Sequence, residues 1–165
     1  MKLKKHDIEN GLSNLSPNIL RQKLKTIDKY KIYDDTYSSS PKAAAYMLEL
    51  LKLFDESRGA LLGDMLELGS LSEKEHYDLG RCAYESGLKK LYTFGKFAQL
   101  IAKCALDSGM KKENVFVNES IDDPKISADQ IAASYDGETI LFKASHALRA
   151  ERIFLYLDNK MQEEI

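Results

Sequence analysis

Ala60-Leu61-Leu62-Gly63-Asp64-Met65-Leu66-Glu67-Leu68-Gly69-Ser70 is the stretch on which the reading of this chain turns. A short apolar run, the length of a buried strand, ends on the carboxylate of Asp64. A loop carrying a second acid, Glu67, comes next. Ser70 and Glu73 then have the spacing of a capping box, which predicts a helix start. Open α/β sheets present ligand-binding groups in this way, on loops at the carboxyl ends of strands.

The same alternation extends in both directions. Apolar runs predict strands at 31–36, 60–64, 90–94, 114–118 and 139–143. Between them lie helical patterns. Ser40-Pro41 opens the first, with Ala44, Leu48, Leu51 and Phe54 at helical spacing. The second runs from Ser70 through Leu79 and Ala83 to Gly87, and the third carries Phe97, Leu100, Ile101 and Cys104 before Gly109. A fourth is predicted over 124–135, and a fifth through Ala147, Ala150, Phe154 and Leu157. Apolar strands alternating with helices predict an α/β fold, a three-layer, doubly wound and mainly parallel sheet.

Residues 1–30 read differently. Lys2, Lys4, Lys5, Arg21, Lys23, Lys25 and Lys29 face only Asp7, Glu9 and Asp28. We expect a linker and then a short helix from Pro17 to about Ile27, with Ser16 as N-cap. No aromatic residues interleave with these lysines, so the surplus reads as a solvated face and not as a nucleic-acid arm. Residues 31–165 are expected to form the α/β domain.

Composition narrows the function classes. A formal net charge of −2 gives no global argument for nucleic acid or an anionic membrane. No apolar run reaches the 18 or so residues of a transmembrane helix. Cys82 and Cys104 fall inside helical patterns and read as buried thiols, which fits a reducing, cytoplasmic setting. His6, His76 and His146 have no partners at metal-ligand spacing, so no metal site is expected.

The loops after the strands would share one rim of the sheet. They carry Asp34-Asp35-Thr36-Tyr37-Ser38-Ser39-Ser40, Asp64 with Glu67, Asn118-Glu119-Ser120, and Lys143-Ala144-Ser145-His146 with Arg149 one turn on. Each has a plain structural reading as well: a turn, a cap or a solvated strand end. Together they suit a ligand with charged and hydroxyl groups. There is no G-x-x-x-x-G-K-[ST] phosphate loop, no G-x-G-x-x-G after the first strand and no G-x-S-x-G elbow. Nucleotide hydrolysis by this chain alone is not expected.

Three blocks, in order, resemble the C-terminal domain of the Mur ligases: Ile32-Tyr33-Asp34-Asp35-Thr36-Tyr37 with Pro41, Leu62-Gly63-Asp64-Met65-Leu66-Glu67-Leu68-Gly69, and Lys143-x-Ser145 with Arg149-x-Glu151-Arg152. The middle block is most similar to the member of that family that adds D-Ala-D-Ala in peptidoglycan synthesis. The resemblance implies a three-domain, ATP-dependent ligase. Its central domain holds ATP and Mg, other domains hold the UDP-MurNAc-peptide, and the C-terminal domain receives the dipeptide. Residues 1–30 would then be the end of the central domain. It further implies that an acyl phosphate is attacked by the dipeptide amine. Asp34, Asp35, Thr36, Tyr37, Ser38 and Ser40 would face the cleft. Lys143, Ser145, His146 and Arg149 would lie near the dipeptide, while Asp64 and Glu67 would shape the site without moving protons.

The chain also departs from the family pattern. Ser38-Ser39-Ser40 stands where Asn-Ala-Asn is usual, and Ala144-Ser145-His146 where Gly-Ser-Arg is usual. The first exchange shortens two amides to hydroxyls. The second gives up a permanent forked charge, and Ala144 lacks glycine's freedom at positive φ. A diverged, non-catalytic interaction module of the same fold is therefore an alternative. A receiver-like phospho-acceptor domain is another, although its lone acid would follow a different strand.

Overall fold

Strands buried from end to end need cover on both faces, and the middle of this sheet has it. The computed structural model describes residues 23–53 and 57–158. Its strands are β1 (Lys23–Ile27), β2 (Tyr30–Asp35), β3 (Arg58–Gly63), β4 (Lys90–Phe94), β5 (Val115–Asn118) and β6 (Thr139–Lys143). They stand in the order β1-β2-β6-β3-β4-β5. Only β1 runs antiparallel to its neighbour.

The helices are α1 (Pro41–Leu51), α2 (Ser72–Glu85), α3 (Ala98–Asp107), α4 (Pro124–Ser134) and α5 (Ile153–Leu157). Side chains alternate across a strand, so adjacent residues feed different cores. Ala60, Leu62, Leu91 and Leu141 pack with Leu48 of α1, Leu79 of α2 and Ile101 of α3. Leu61, Tyr92, Ile140 and Phe142 pack with Ile131 of α4 and Ile153 of α5 on the other face. This is the expected three-layer, mainly parallel architecture. Both cysteines are free, Cys104 buried and Cys82 half-buried. Among the described residues no helix is long and apolar enough to cross a membrane.

Strand order decides where a ligand could sit. From β2 through β5 the chain steps in one direction with its helices on one face. It then returns through α4 on the other face and inserts β6 between β2 and β3. Loops after β2 and β3 therefore lead to one face and the loop after β6 to the other, which opens a crevice at the carboxyl edge.

Three local expectations are corrected. The helix expected to run to about Ile27 is a strand over Lys23–Ile27, and the rest of that prediction lies outside the described residues. Helix propensity is a weak prior, and here β2 offers an open edge. Lys25 turns inward to place Nζ 2.5 Å from Asp34 Oδ2 and 5.2 Å from the centroid of the Phe154 ring.

Ser70 does not cap a helix. A 3-10 turn over Gly69–Leu71 precedes α2, whose start has no side-chain cap bond but carries Glu73 and Glu75 in its first turn. Acids there complement the positive helix end. The last predicted helix is interrupted because Arg149 adopts a left-handed conformation (φ 51°), leaving two 3-10 turns before α5. Phe54 lies outside the described residues.

Candidate functional site

Register brings the rim residues level. Asp35 pairs with Lys143 across β2 and β6, Leu62 with Lys143 across β3 and β6, and Phe94 with Asn118 across β4 and β5. A cleft of about 330 Å³ opens above β2, β6 and β3, lined by Tyr37, Ser38, Ser39, Leu66, Glu67, Ser145, His146 and Ala147. It occupies the crevice that the strand order creates.

Of the twelve expected site residues, Tyr37, Ser38, Glu67, Ser145 and His146 line this cleft. The imidazole of His146 lies 5.4 Å from the Tyr37 ring, centroid to centroid. Ser145 Oγ accepts a hydrogen bond from Leu66 N–H at 3.0 Å, and Ser145 N–H donates to Asp64 O at 3.2 Å. One serine thus ties the loops after β3 and β6 together. Glu67 holds a left-handed conformation (φ 66°), which a non-glycine residue adopts at some cost. Its carboxylate is exposed at the cleft wall.

The other expected residues form the supports. Lys143 is only 2% exposed. Its Nζ meets Asp35 Oδ2 at 3.0 Å and also reaches the carbonyls of Asp35 and Ser38. An ammonium with its three donors so committed ties β6 to the Tyr37–Ser39 wall. Asp34 Oδ1 accepts from Thr36 N–H at 3.2 Å and Thr36 Oγ1 at 2.8 Å, which fixes the turn out of β2. Ser40 caps α1 through Ala43 N–H. Arg149 stands outside the cleft lining, with Nε 3.6 Å from Glu151.

Asp64 has its own local task. Its Oδ1 accepts from Ala98 N–H at 2.6 Å, so the carboxylate sits at the amino end of α3. Gly95 makes room for it, because a Cβ there would lie 2.6 Å from the Asp64 Cγ. Burial holds the carboxyl above the usual aspartate range, opposed by hydrogen bonds from the Ala98, Phe97 and Lys96 amides and by His76. A helix N-terminus is a ready anion site, and here the chain's own carboxylate fills it.

Sequence reasoning missed two groups. Fully buried His76 accepts from Met65 N–H through Nε2 at 2.8 Å and donates from Nδ1 to Ser72 O at 2.6 Å, which pins the loop after β3 to α2. Read as one of three scattered histidines, it gave no sign of this, because its partners are backbone atoms. Ser39 stands in the rim loop but outside the residues expected to face the cleft. It lines the cleft, and its Oγ is buried without a hydrogen-bond partner among the described residues. Such a hydroxyl costs about 1–3 kcal/mol until something meets it.

The departure at Ala144 proves harmless to the backbone. Ala144 has no positive φ and is fully buried against β3, where a Cβ on Gly63 would come within 2.6 Å of its own. Its methyl therefore points into the core, with Gly63 supplying the space.

Comparison with known proteins sets this geometry in context. The family described as "Mur ligase, glutamate ligase domain" matches residues 21–146. The chain belongs to the Mur ligase family. The chain is 35% identical over 151 residues to the UDP-N-acetylmuramoyl-tripeptide–D-alanyl-D-alanine ligase of Bacillus subtilis, covering 89% of this chain and 32% of that protein. The Buchnera aphidicola (subsp. Baizongia pistaciae) enzyme of the same name is 32% identical over 98 residues, 58% of this chain and 21% of that one.

Among solved structures, MurF ligase from Thermotoga maritima, in complex with ADP, matches with a TM-score of 0.73 at 28% identity, over 99% of this chain and 35% of that one. A MurF from Acinetobacter baumannii shares the fold with a TM-score of 0.77 at 23% identity, over 94% of this chain and 33% of that one. The chain spans about a third or less of the length of the curated relatives it matches.

Proposed function

We propose that this chain is the dipeptide-receiving C-terminal domain of an ATP-dependent ligase that joins D-Ala-D-Ala to UDP-MurNAc-tripeptide in cytoplasmic peptidoglycan synthesis. The observation that carries the reading is the switch-point cleft, built from the three sequence blocks that resemble the family. Tyr37, Ser38, Glu67, Ser145 and His146 are its ligand-facing side chains. Asp34, Asp35, Thr36, Ser40, Asp64 and Lys143 hold their loops in place, and Arg149 lies just beyond. In this reading the domain begins with β1, which pairs with β2 along its length.

The described side chains form no cradle for a magnesium–triphosphate group. Asp64 fills the amino end of α3, and no three potential ligand side chains cluster for a metal among the described residues. ATP and Mg in this reading belong to the central domain, and no step of their chemistry is assigned to these residues. The contribution of this chain is to orient the incoming dipeptide and exclude water around its amine.

The Ser38-Ser39-Ser40 run and His146 favour a second reading, in which the fold persists as a module that has lost the dipeptide. Titration calorimetry of D-Ala-D-Ala on this chain, with ligation measured after the other two domains are supplied in trans, separates the two. Saturable binding and product formation are expected. A folded chain that neither binds the dipeptide nor supports ligation overturns the proposal in favour of the interaction module. The phospho-acceptor alternative gains no support, since the Asp64 carboxylate is turned into the start of α3.

A further inference from the structure

The charge available inside the cleft is small. Among its lining residues Glu67 is the one carboxylate and His146 the one imidazole. Neither has an ion-pair partner among the described residues. The charged groups around them are engaged elsewhere: Lys143 with Asp35 and the Ser38 carbonyl, Arg149 with Glu151, and Asp64 with the amino end of α3. The imidazole faces the ring of Tyr37 from the loop after β2, and Ser39 adds a hydroxyl without a hydrogen-bond partner among the described residues.

We propose that His146 is the partner for a ligand carboxylate in this cleft, with Glu67 on the ammonium side, so that capture of a small zwitterionic peptide depends on protonation of the imidazole. This rests on the dipeptide reading above and adds to it a pH dependence set by one side chain. An imidazolium offers a charge and two donors, whereas the neutral ring offers one donor and no charge. Imidazoles change state between about pH 5 and 8. Both termini of a free dipeptide stay mostly ionised from about pH 5.5 to 7. Over that interval the switch lies on the protein side of the contact.

The test is calorimetric titration of D-Ala-D-Ala into this chain at pH 5.5 and 7.0, using wild type, His146→Arg and His146→Gln. His146 is exposed, so neither exchange disturbs the core. Wild type should bind about two- to fivefold more tightly at the lower pH. His146→Arg should bind tightly at both pH values and His146→Gln weakly at both, each with a ratio near one. D-alanyl-D-alanine amide, which lacks the carboxylate, should show no pH preference on wild type. A wild-type ratio of one, or a ratio retained by His146→Gln, overturns this inference and leaves the dipeptide reading standing. Failure of all three proteins to bind at either pH overturns the dipeptide reading as well.

Discussion

Replacing Lys143 with Met tests whether this lysine positions the cleft wall or serves the ligand directly. The ammonium sits 3.0 Å from Asp35 Oδ2 at a site 2% exposed, beside an aspartate that is 7% exposed. At that separation an effective dielectric near 20 gives an attraction of about 5 kcal/mol. Much of this is offset by taking two charges out of water, so the net worth of the pair is far smaller. Removing one partner alone is a different case. The Asp35 carboxylate stays buried without its counter-charge, and the Asp35 and Ser38 carbonyls lose their donor.

We therefore expect Lys143→Met to cost about 3–5 kcal/mol, and Asp35→Asn to cost less because an amide can still bond the ammonium. The double variant should recover part of the sum, leaving a coupling of about 1–3 kcal/mol. Urea unfolding of the four proteins, followed by far-ultraviolet circular dichroism, measures this cycle. Single losses below about 1 kcal/mol that simply add would refute the buried-pair reasoning. They would return Lys143 to the list of groups free to meet a ligand.

Asp64 supplies a pH test. Burial raises its folded-state pKa above the ordinary aspartate value, so its contribution to stability is present below about pH 4 and is lost as pH rises through the raised value. Asp64→Asn keeps an oxygen for Ala98 N–H without the charge, so its stability relative to wild type should climb as pH rises from 4 towards neutral. A falling difference in thermal melts would show that the α3 amides outweigh burial. Gly63→Ala should cost about 1–3 kcal/mol, because its Cβ would meet that of Ala144 at 2.6 Å. Adding Ala144→Gly should restore much of that loss in chemical denaturation, and failure to do so would place the strain elsewhere.

Strand and helix positions after residue 30 were largely legible because they follow from periodicity and turn residues. β4 and β6 fall on the predicted spans, and α1 begins at Pro41 behind Ser40. The segment over Lys23–Ile27 was misread because its strand state depends on pairing with β2 and on an inward lysine meeting Asp34. Nothing local in Lys-Leu-Lys-Thr-Ile encodes that partner. The interrupted helix after β6 was hidden for a related reason. Apolar spacing through Ala147, Ala150, Phe154 and Leu157 does not register a single left-handed residue at Arg149.

The stretch from Ala60 to Ser70 determined by itself that an acid ends a buried strand, and the neighbouring blocks determined which family that strand belongs to. Composition and spacing also identified the polar residues gathered at one rim. Which of them face the cleft was decided only by tertiary structure. Insertion of β6 between β2 and β3 places Tyr37, Glu67 and His146 around one cavity. The same insertion buries Lys143 against Asp35, while the pairing of β3 with β4 leaves Asp64 at the start of α3. A charged side chain has the same chemistry in either role. Burial and the partners within reach determine whether it holds the protein or its ligand, and those are set by strand order across residues far apart in the chain.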